Sequence, residues 1–159
     1  EVDVLVNCAA VMCDRSAKMT LRTPDEEWRR VMGTNLEGPA TLCSMFVPGM
    51  VARRRGRVIN VTACLGRMSG PGTSGGLASY RVSKAALNAL TKNLSAELGQ
   101  GRRGVSVDAV CPGHTRTDMG GDKAPRSVEQ GADTILWLAE REDAEPTGRL
   151  WEDRAVLPW

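Results

Sequence analysis

Three short runs of mostly apolar residues divide the chain into alternating β-rich and helical segments. They are Val2–Val6, Arg57–Thr62 and Val105–Cys111. Each run is about 5–7 residues long and apolar at most positions, as expected for parallel strands covered on both faces. Parallel neighbours need long crossover connections, and the segments between these runs are long enough to be helices. The pattern therefore predicts an α/β layer fold with a parallel sheet.

Apolar residues at helical spacing predict three helices. The first spans Thr23–Arg55 and opens with a capping box at its first four residues. The second spans Ser79–Gly99 and carries a leucine stripe. The third opens with a second capping box at Ser127–Gln130. After it, the short run Arg149–Trp151 is a candidate final strand.

Charge and hydropathy narrow the classes of partner. The 159 residues include 21 Lys and Arg and 19 Asp and Glu, which leaves a net charge of +2. That charge is too small to indicate nucleic acid or an anionic membrane as the main partner. No apolar run reaches the roughly 18 residues that suggest a membrane-spanning helix. The basic run Arg53–Arg55 is interpreted as a solvated helix C-terminus rather than a nucleic-acid contact.

The five cysteines form no recognisable metal or disulfide pattern. Their number is odd, no Cys-x-x-Cys motif occurs, and the chain has one histidine. We therefore expect no metal site, reduced thiols and a cytoplasmic protein. Cys64 and Cys111 are expected to pack as small apolar groups.

Small and polar residues stand at the end of each predicted strand. They are Asn7–Ala10, Thr62–Gly66 and Pro112–Thr117. In an open parallel sheet, ligands bind at the carboxyl ends of the strands. Three such strand ends on one edge predict a cleft there.

Tyr80 and Lys84 lie four residues apart near the start of the second predicted helix, so they share one helix face. A lysine ammonium beside a phenol lowers the phenol pKa, which would make Tyr80 a general acid near neutral pH. An exposed surface pair is the alternative for such a spacing. The position just after the second strand favours the chemical interpretation.

Asn35 lies inside the first predicted helix. Pro39, four residues later, has no N–H to donate to the Asn35 carbonyl. We expect that carbonyl to be free to hold a water or a ligand. A simple helix kink is the alternative.

Taken together, these residues resemble the short-chain dehydrogenase/reductase family. The family order is an Asn in a helix, a Tyr-x-x-x-Lys pair, and a Pro-Gly turn followed by a Thr. Asn35, Tyr80 with Lys84, and the segment from Pro112 to Thr117 match that order. The turn after the first strand resembles the family's Asn-Asn-Ala-Gly with two positions altered, and the stretch after the third strand is most similar to carbonyl reductases.

The resemblance implies the fold of the chain and also which portion of that fold the chain represents. The fold is a Rossmann-like doubly wound parallel sheet with flanking helices. Residues 1–159 are expected to be one domain, the C-terminal portion of such a fold. The family's Gly-rich phosphate loop precedes anything present here, so we expect weak or absent cofactor binding by this chain and an unpaired edge on the strand Val2–Val6.

The resemblance also implies a reaction. A hydride would move between a nicotinamide cofactor, NADP with NAD as the alternative, and a small carbonyl or alcohol substrate. Tyr80 would protonate the carbonyl oxygen, Lys84 would lower the Tyr80 pKa and bind the nicotinamide ribose, and Asn35 would hold a water linked to Lys84. The remaining cofactor contacts would be Asn7, Ala9, Pro112, Gly113 and Thr117. A homo-oligomer would pair through the two long helices, whereas many carbonyl reductases are monomers.

One position departs from the family pattern within the catalytic set. The family's serine falls three residues after the strand Asn, and counted from Asn60 that position is Ala63. A methyl group cannot donate a hydrogen bond to the substrate oxygen, and Ser69, Ser74 or Ser79 from the following loop are candidate replacements. The alternative functions are a catalytically inactive binding scaffold and a nonredox lyase or isomerase that uses Tyr80 as an acid.

Overall fold

Five strands form one sheet in the computed structural model, which describes residues 1–13, 19–142 and 146–159. In chain order the strands are β1 (Val4–Asn7), β2 (Gly56–Val61), β3 (Val105–Val110), β4 (Leu150–Glu152) and β5 (Ala155–Leu157). Sheet order follows chain order. The first four strands are parallel, and β5 returns antiparallel to β4. The four predicted strands are confirmed, whereas β5 was not predicted.

The helices between the strands differ most from expectation at the first one. The α-helices are α1 (Asp25–Met32), α2 (Gly38–Arg53), α3 (Ala78–Glu97) and α4 (Val128–Glu140). The predicted single helix Thr23–Arg55 is therefore two helices, joined by a π-helical turn at Gly33–Glu37. Short 3₁₀ turns occur at Thr20–Arg22, Cys64–Gly66 and Gly70–Thr73.

Helices cover both faces of the sheet. Met50 of α2 and Leu94 of α3 pack in one cluster with Val58 of β2. Leu138 of α4 packs against Ile59, which points to the opposite face because adjacent strand residues alternate. The doubly wound arrangement is thus confirmed.

The two predicted capping boxes have different outcomes. At α4, the Ser127 hydroxyl accepts a hydrogen bond from the Gln130 amide, and the Gln130 side chain accepts one from the Ser127 amide. The box at Thr23 is wrong, because Pro24 holds the N-cap position of α1 and makes no side-chain cap bond. The Thr23 hydroxyl instead donates to the Met19 carbonyl at 2.9 Å.

The edge of the sheet at β1 is open within the described residues. There β1 pairs with β2 alone, and Val4 and Val6 are each 38% exposed. No helix in the described ranges is both long and apolar enough to cross a bilayer.

Candidate active site

Tyr80 and Lys84 are both buried at the start of α3. Tyr80 is 6% exposed and Lys84 is 2% exposed. The helix begins directly after the loop Met68–Leu77, which connects it to the end of β2. An exposed surface pair is therefore excluded, because both side chains are buried near the end of β2.

The Lys84 ammonium is held by the backbone of β2. Its Nζ donates to the Val61 carbonyl at 2.8 Å, and the Thr62 hydroxyl donates to the Lys84 carbonyl at 3.2 Å. Burial lowers the pKa of Lys84 to about 8. The ammonium lies 5.8 Å from the centroid of the Tyr80 ring, within reach of a cation–π interaction.

The predicted lowering of the Tyr80 pKa is wrong in this structure. Burial, with the neighbouring Cys111 thiol as a smaller cause, raises the pKa of Tyr80 to about 12. Burial disfavours the charged phenolate, and Lys84 is not among the causes of the pKa shift of Tyr80. Tyr80 is thus a neutral phenol at physiological pH, which leaves it a proton to donate.

Asn35 connects the end of β1 to the start of α3. Its side chain is fully buried in the π-helical turn, and its amide pairs with the Val11 backbone, accepting from the N–H at 2.8 Å and donating to the carbonyl at 2.9 Å. The same Nδ2 donates to the Ser83 hydroxyl at 3.0 Å, and Ser83 in turn donates to the Tyr80 carbonyl at 2.8 Å. Asn35 therefore fixes the segment after β1 against the helix turn that carries Tyr80 and Lys84.

The π-helical turn has a local cause in the sequence. Pro39 cannot donate to the carbonyl four residues earlier, and the Gly38 amide bonds the Gly33 carbonyl, five residues back. The backbone widens by one residue at this point, and such π-bulges often occur at functional sites. The alternative of a helix kink at Asn35 therefore takes the form of a π-helical turn, while a role for the Asn35 carbonyl in holding water stays a prediction.

Ala63 lies beside Tyr80, where the family pattern places a hydroxyl. It packs against the cluster formed by Tyr80, Cys13 and Val31. Thr62 cannot replace the missing donor, because its hydroxyl is bonded to the Lys84 carbonyl.

The three candidate serines of the following loop differ. Ser74 is exposed, and Ser69 donates to the Trp159 carbonyl at 3.4 Å. Ser79, next to Tyr80, is fully buried, and its hydroxyl has no hydrogen-bond partner in the described part of the chain. Ser79 therefore lies in the first turn of α3 rather than in the loop, and its uncommitted hydroxyl is the nearest of the three in sequence to Tyr80.

The two candidate cofactor residues at the end of β1 have opposite environments. Asn7 is buried, and its Nδ2 donates to the Asn60 side chain at 2.7 Å and to the Cys43 sulfur at 3.8 Å. Its side chain thus joins strand β1 to β2. Ala9 is exposed, so its backbone is the accessible part of this strand end.

Pro112, Gly113 and Thr117 follow β3. Gly113 has a φ of +71°, a conformation that favours glycine, and a Cβ there would lie 2.4 Å from the Arg126 side chain, which would have to move. The Pro112 carbonyl accepts from Arg126 at 3.4 Å. Thr117 is exposed, and its hydroxyl closes a turn by accepting from the Gly120 amide at 3.1 Å.

Cys64, Cys111 and Glu152 form a cluster at the carboxyl edge of the sheet that was not predicted from the sequence. Cys64 Sγ lies 3.5 Å from one Glu152 carboxylate oxygen, and Cys111 Sγ lies 3.7 Å from the other. The Cys64 amide donates to Cys111 Sγ at 3.0 Å. A side-chain hydrogen bond between the two cysteines lowers the pKa of the Cys111 thiol and raises the pKa of the Cys64 thiol. The signal available in the sequence was that both cysteines stand at the end of a predicted strand, Cys111 as the last residue of Val105–Cys111 and Cys64 two residues after Arg57–Thr62.

Comparison with known families supports the motif-based resemblance. The family model described as short chain dehydrogenase matches residues 1–128. The 3-oxoacyl-(acyl-carrier-protein) reductase FabG of Vibrio cholerae is 35% identical over 155 residues, which cover 98% of this chain and 56% of that protein. The Escherichia coli protein of the same name is 36% identical over 119 residues, covering 75% of this chain and 45% of the relative. The chain thus spans about half the length of the curated relatives it matches.

Solved structures with this fold include carbonyl reductases. The carbonyl reductase Sniffer of D. melanogaster aligns with a TM-score of 0.86 and 28% identity, covering 99% of this chain and 66% of that one. The NADPH-bound carbonyl reductase from chicken fatty liver aligns with a TM-score of 0.83 and 27% identity, covering 98% and 65%. The fold described above is therefore shared over nearly the whole of this chain.

Proposed function

This chain belongs to the short-chain dehydrogenase family, and we propose that it forms the catalytic portion of an NAD(P)-dependent oxidoreductase that reduces a small carbonyl compound or oxidises an alcohol. The observation that carries the proposal is the buried pair of Tyr80 and Lys84, tied to Asn35 at the carboxyl edge of the sheet. Five free thiols favour a reducing compartment, the cytoplasm.

Tyr80 acts as the general acid in the direction of reduction. Burial keeps its phenol protonated, so a proton is available to a carbonyl oxygen placed against the hydroxyl. Lys84, an ammonium below about pH 8, stabilises the phenolate that remains. Asn35 acts as a positioning residue, since its side chain holds the helix turn through Ser83.

The residues present fit the nicotinamide end of a dinucleotide. A lysine ammonium has three N–H donors, and in the described part of the chain one acceptor, the Val61 carbonyl, lies on the Lys84 Nζ. The remaining donors suit ribose hydroxyls. Asn7 and Ala9 at the end of β1, and Pro112, Gly113 and Thr117 after β3, would border the cofactor. When bound, the cofactor supplies the hydride, and NADP is the form proposed, with NAD as the alternative.

The partners proposed are a small carbonyl or alcohol and, through α2 and α3, a second copy of the chain. Met45 of α2 is 66% exposed and Val82 of α3 is 47% exposed, which supports apolar contact along these helices. Neither nucleic acid nor a membrane is part of the proposal.

The test is NADPH oxidation with a panel of aldehydes and ketones, measured on the product of the complete reading frame. We expect Lys84→Ala to reduce kcat/KM by about 10²–10⁴-fold, the contribution typical of assisted proton transfer. Lys92→Ala is the matched control, because Lys92 is on the same helix but exposed, and it should leave kcat/KM unchanged. Equal effects of the two variants would refute the assignment.

A second candidate is a binding scaffold without turnover, and Ala63 is the observation that favours it. The scaffold hypothesis predicts that the protein binds NADPH without oxidising it in the presence of any carbonyl, even after Ala63→Ser. Turnover that disappears in Tyr80→Phe excludes the scaffold.

A further inference from the structure

Two thiols and a carboxylate meet beside the candidate active site. One ligand atom each from Cys64, Cys111 and Glu152 lie within 4.8 Å of one another. The two sulfur-to-oxygen distances are 3.5 and 3.7 Å. No local spacing motif contains these residues, since they are separated by 41 to 88 positions in sequence.

The sheet itself brings the three side chains together. Cys64 begins the 3₁₀ turn just after β2, Cys111 follows β3, and Glu152 ends β4. These strands are adjacent and parallel, so their carboxyl ends lie on the same edge. The three positions are therefore set by hydrogen-bonded backbone rather than by a flexible loop, which favours a fixed ligand geometry.

We propose that Cys64, Cys111 and Glu152 form a binding site for a thiophilic divalent cation, of which Zn²⁺ is the reference ion. Tetrahedral zinc, with Zn–S bonds of about 2.3 Å and Zn–O bonds of about 2.0–2.2 Å, places neighbouring ligand atoms about 3.5–3.8 Å apart. The two sulfur-to-oxygen distances in the structure fall in that range, and because they end on different oxygens of Glu152, one oxygen would turn toward both sulfurs when an ion binds. Three protein ligands leave the fourth position to water or another small donor.

The charge of the site is also suitable. Two thiolates and one carboxylate carry three negative charges, so a divalent cation would leave one. Arg126 Nη2 lies 3.4 Å from Glu152 Oε1, so a guanidinium stands beside the carboxylate of the cluster. Arg126 is itself held by a bidentate ion pair with Asp153 at 2.7 Å. It would orient the ligating carboxylate in the way that outer-shell partners of metal sites do.

The ion has a route of entry. Cys111 is buried, but Cys64 is half-buried and the Glu152 side chain is 22% exposed. A cation from solvent can reach Cys64 and Glu152 first and then displace the thiol protons, because ligating cysteines bind as thiolates.

The experiment is calorimetric titration of the reduced chain with ZnCl₂, without nicotinamide cofactor, so that its outcome is independent of enzymatic activity. We expect one Zn²⁺ per chain, and Co²⁺ should give the near-ultraviolet band of thiolate-to-cobalt charge transfer. Losing an outer-shell partner typically weakens metal affinity by about 10–100-fold, so we expect that loss for Arg126→Gln and a larger one for Cys111→Ala and Glu152→Gln. Cys8→Ala, which removes an exposed thiol outside the cluster, should bind Zn²⁺ as the parent chain does.

A second measurement guards against variants that fail to fold. In the parent chain, Zn²⁺ should protect Cys64 and Cys111 from alkylation by iodoacetamide while Cys8 remains reactive, as read by peptide mass mapping. The proposal would be overturned if no Zn²⁺ bound, or if binding were lost in Cys8→Ala. It would also be overturned if Cys64 and Cys111 formed a disulfide instead of taking up metal.

Discussion

The face of the sheet covered by α3 and the face covered by α4 bury different kinds of polar group. Against α3, several buried polar atoms have hydrogen-bonding capacity left over. The Ser79 hydroxyl and the Asn88 Oδ1 have no partner in the described part of the chain, and the Lys84 ammonium has one acceptor there. Burying polar groups in this state is costly, so they are expected to serve something other than stability.

Against α4, the principal buried charge is fully engaged. Asp108 is 3% exposed, and its Oδ1 accepts from the Trp151 indole N–H and from the Arg149 amide, each at 3.1 Å. Trp151 packs edge-to-face on Trp137 with ring centroids 5.2 Å apart. The guanidinium of Arg141 lies over both rings. This face is an aromatic core with one internally paired carboxyl group.

The difference suggests that one face of the sheet serves chemistry and the other serves stability. Changes on the α3 face at the carboxyl edge are expected to alter turnover more than folding. Changes on the α4 face are expected to alter folding and leave turnover intact. Variants that violate this division would show that the two faces are energetically coupled.

The largest effect is expected for Tyr80→Phe. Because removing a general acid typically costs about 10²–10⁴-fold, carbonyl reduction by the complete protein should fall by about 10³-fold. Stability should change little, since the ring still packs against Cys13 and Val31 and no hydrogen bond to the hydroxyl is found in the described residues. Steady-state NADPH oxidation and urea denaturation measure the two quantities. If Tyr80→Phe kept its rate of NADPH oxidation but unfolded at a lower urea concentration, the α3 face would serve stability rather than chemistry.

Ala63→Ser is expected to act in the opposite direction. A single donor to a developing oxyanion is typically worth about 10²–10³-fold in kcat, so restoring the hydroxyl should raise kcat by about that factor. Ala63→Val is the matched control, because it adds volume beside Tyr80 without adding a donor. No gain in the serine variant would mean that another group, with Ser79 the first candidate, already fills the role, and Ser79→Ala would then lower the rate.

The periodicity of apolar residues was sufficient to predict most of the fold. Strands at Arg57–Thr62 and Val105–Cys111 and the helix Ser79–Gly99 were predicted to within about two residues, because each is long and strongly patterned. The division of the first predicted helix was not predicted, although Pro39, a local chemical constraint, gave a kink at Asn35 as the alternative. The final strand Ala155–Leu157 was missed because three residues give too little pattern to distinguish a strand from a turn.

The candidate site divides in the same way. Tyr80, Lys84 and Asn35 were predicted because they belong to a motif with fixed order. The Tyr80 pKa was wrong because the degree of burial, which decides between desolvation and a nearby charge, is a tertiary property. The cluster of Cys64, Cys111 and Glu152 depends on the register of three strands, and sequence spacing carries no information about that register.

On the α4 face, Asp108→Asn is expected to remove a pH dependence of stability. Burial raises the pKa of Asp108 from 3.8 to about 6. Between these values the folded state binds more protons than the unfolded state, so stability falls as pH rises through the folded pKa. A rise of this size corresponds to about 3 kcal/mol at neutral pH, where the carboxylate is ionised in both states.

The measurement is the free energy of unfolding in urea for both chains between pH 4 and pH 7. The free energy of unfolding of Asp108→Asn, relative to the parent, should rise by roughly 2–3 kcal/mol between pH 4 and pH 7. The reason is that the amide does not ionise, although it can still accept hydrogen bonds from Trp151 and Arg149. Using the difference between the two chains cancels other groups that titrate. A constant difference at all pH values would mean that Asp108 has an ordinary pKa, and a parallel change in kcat would couple this face to the active site.

The smallest effect is expected at the N-terminus of α4. Ser127→Ala removes the hydroxyl that accepts from the Gln130 amide at 3.2 Å, and loss of an N-cap typically costs about 1 kcal/mol. Ser127→Gly is the matched control, because glycine at an N-cap costs only a few tenths of a kcal/mol. Without a side chain at this position, water can reach the backbone amides at the start of the helix. Urea denaturation should therefore rank the parent, the glycine variant and the alanine variant in that order, with kcat unchanged in all three. Ser127 lies next to Arg126, which contacts Pro112 and Glu152 at the carboxyl edge of the sheet. A loss of turnover in the alanine variant alone would therefore show that the cap of α4 also positions that edge. The division of roles between the two faces would then fail at this point.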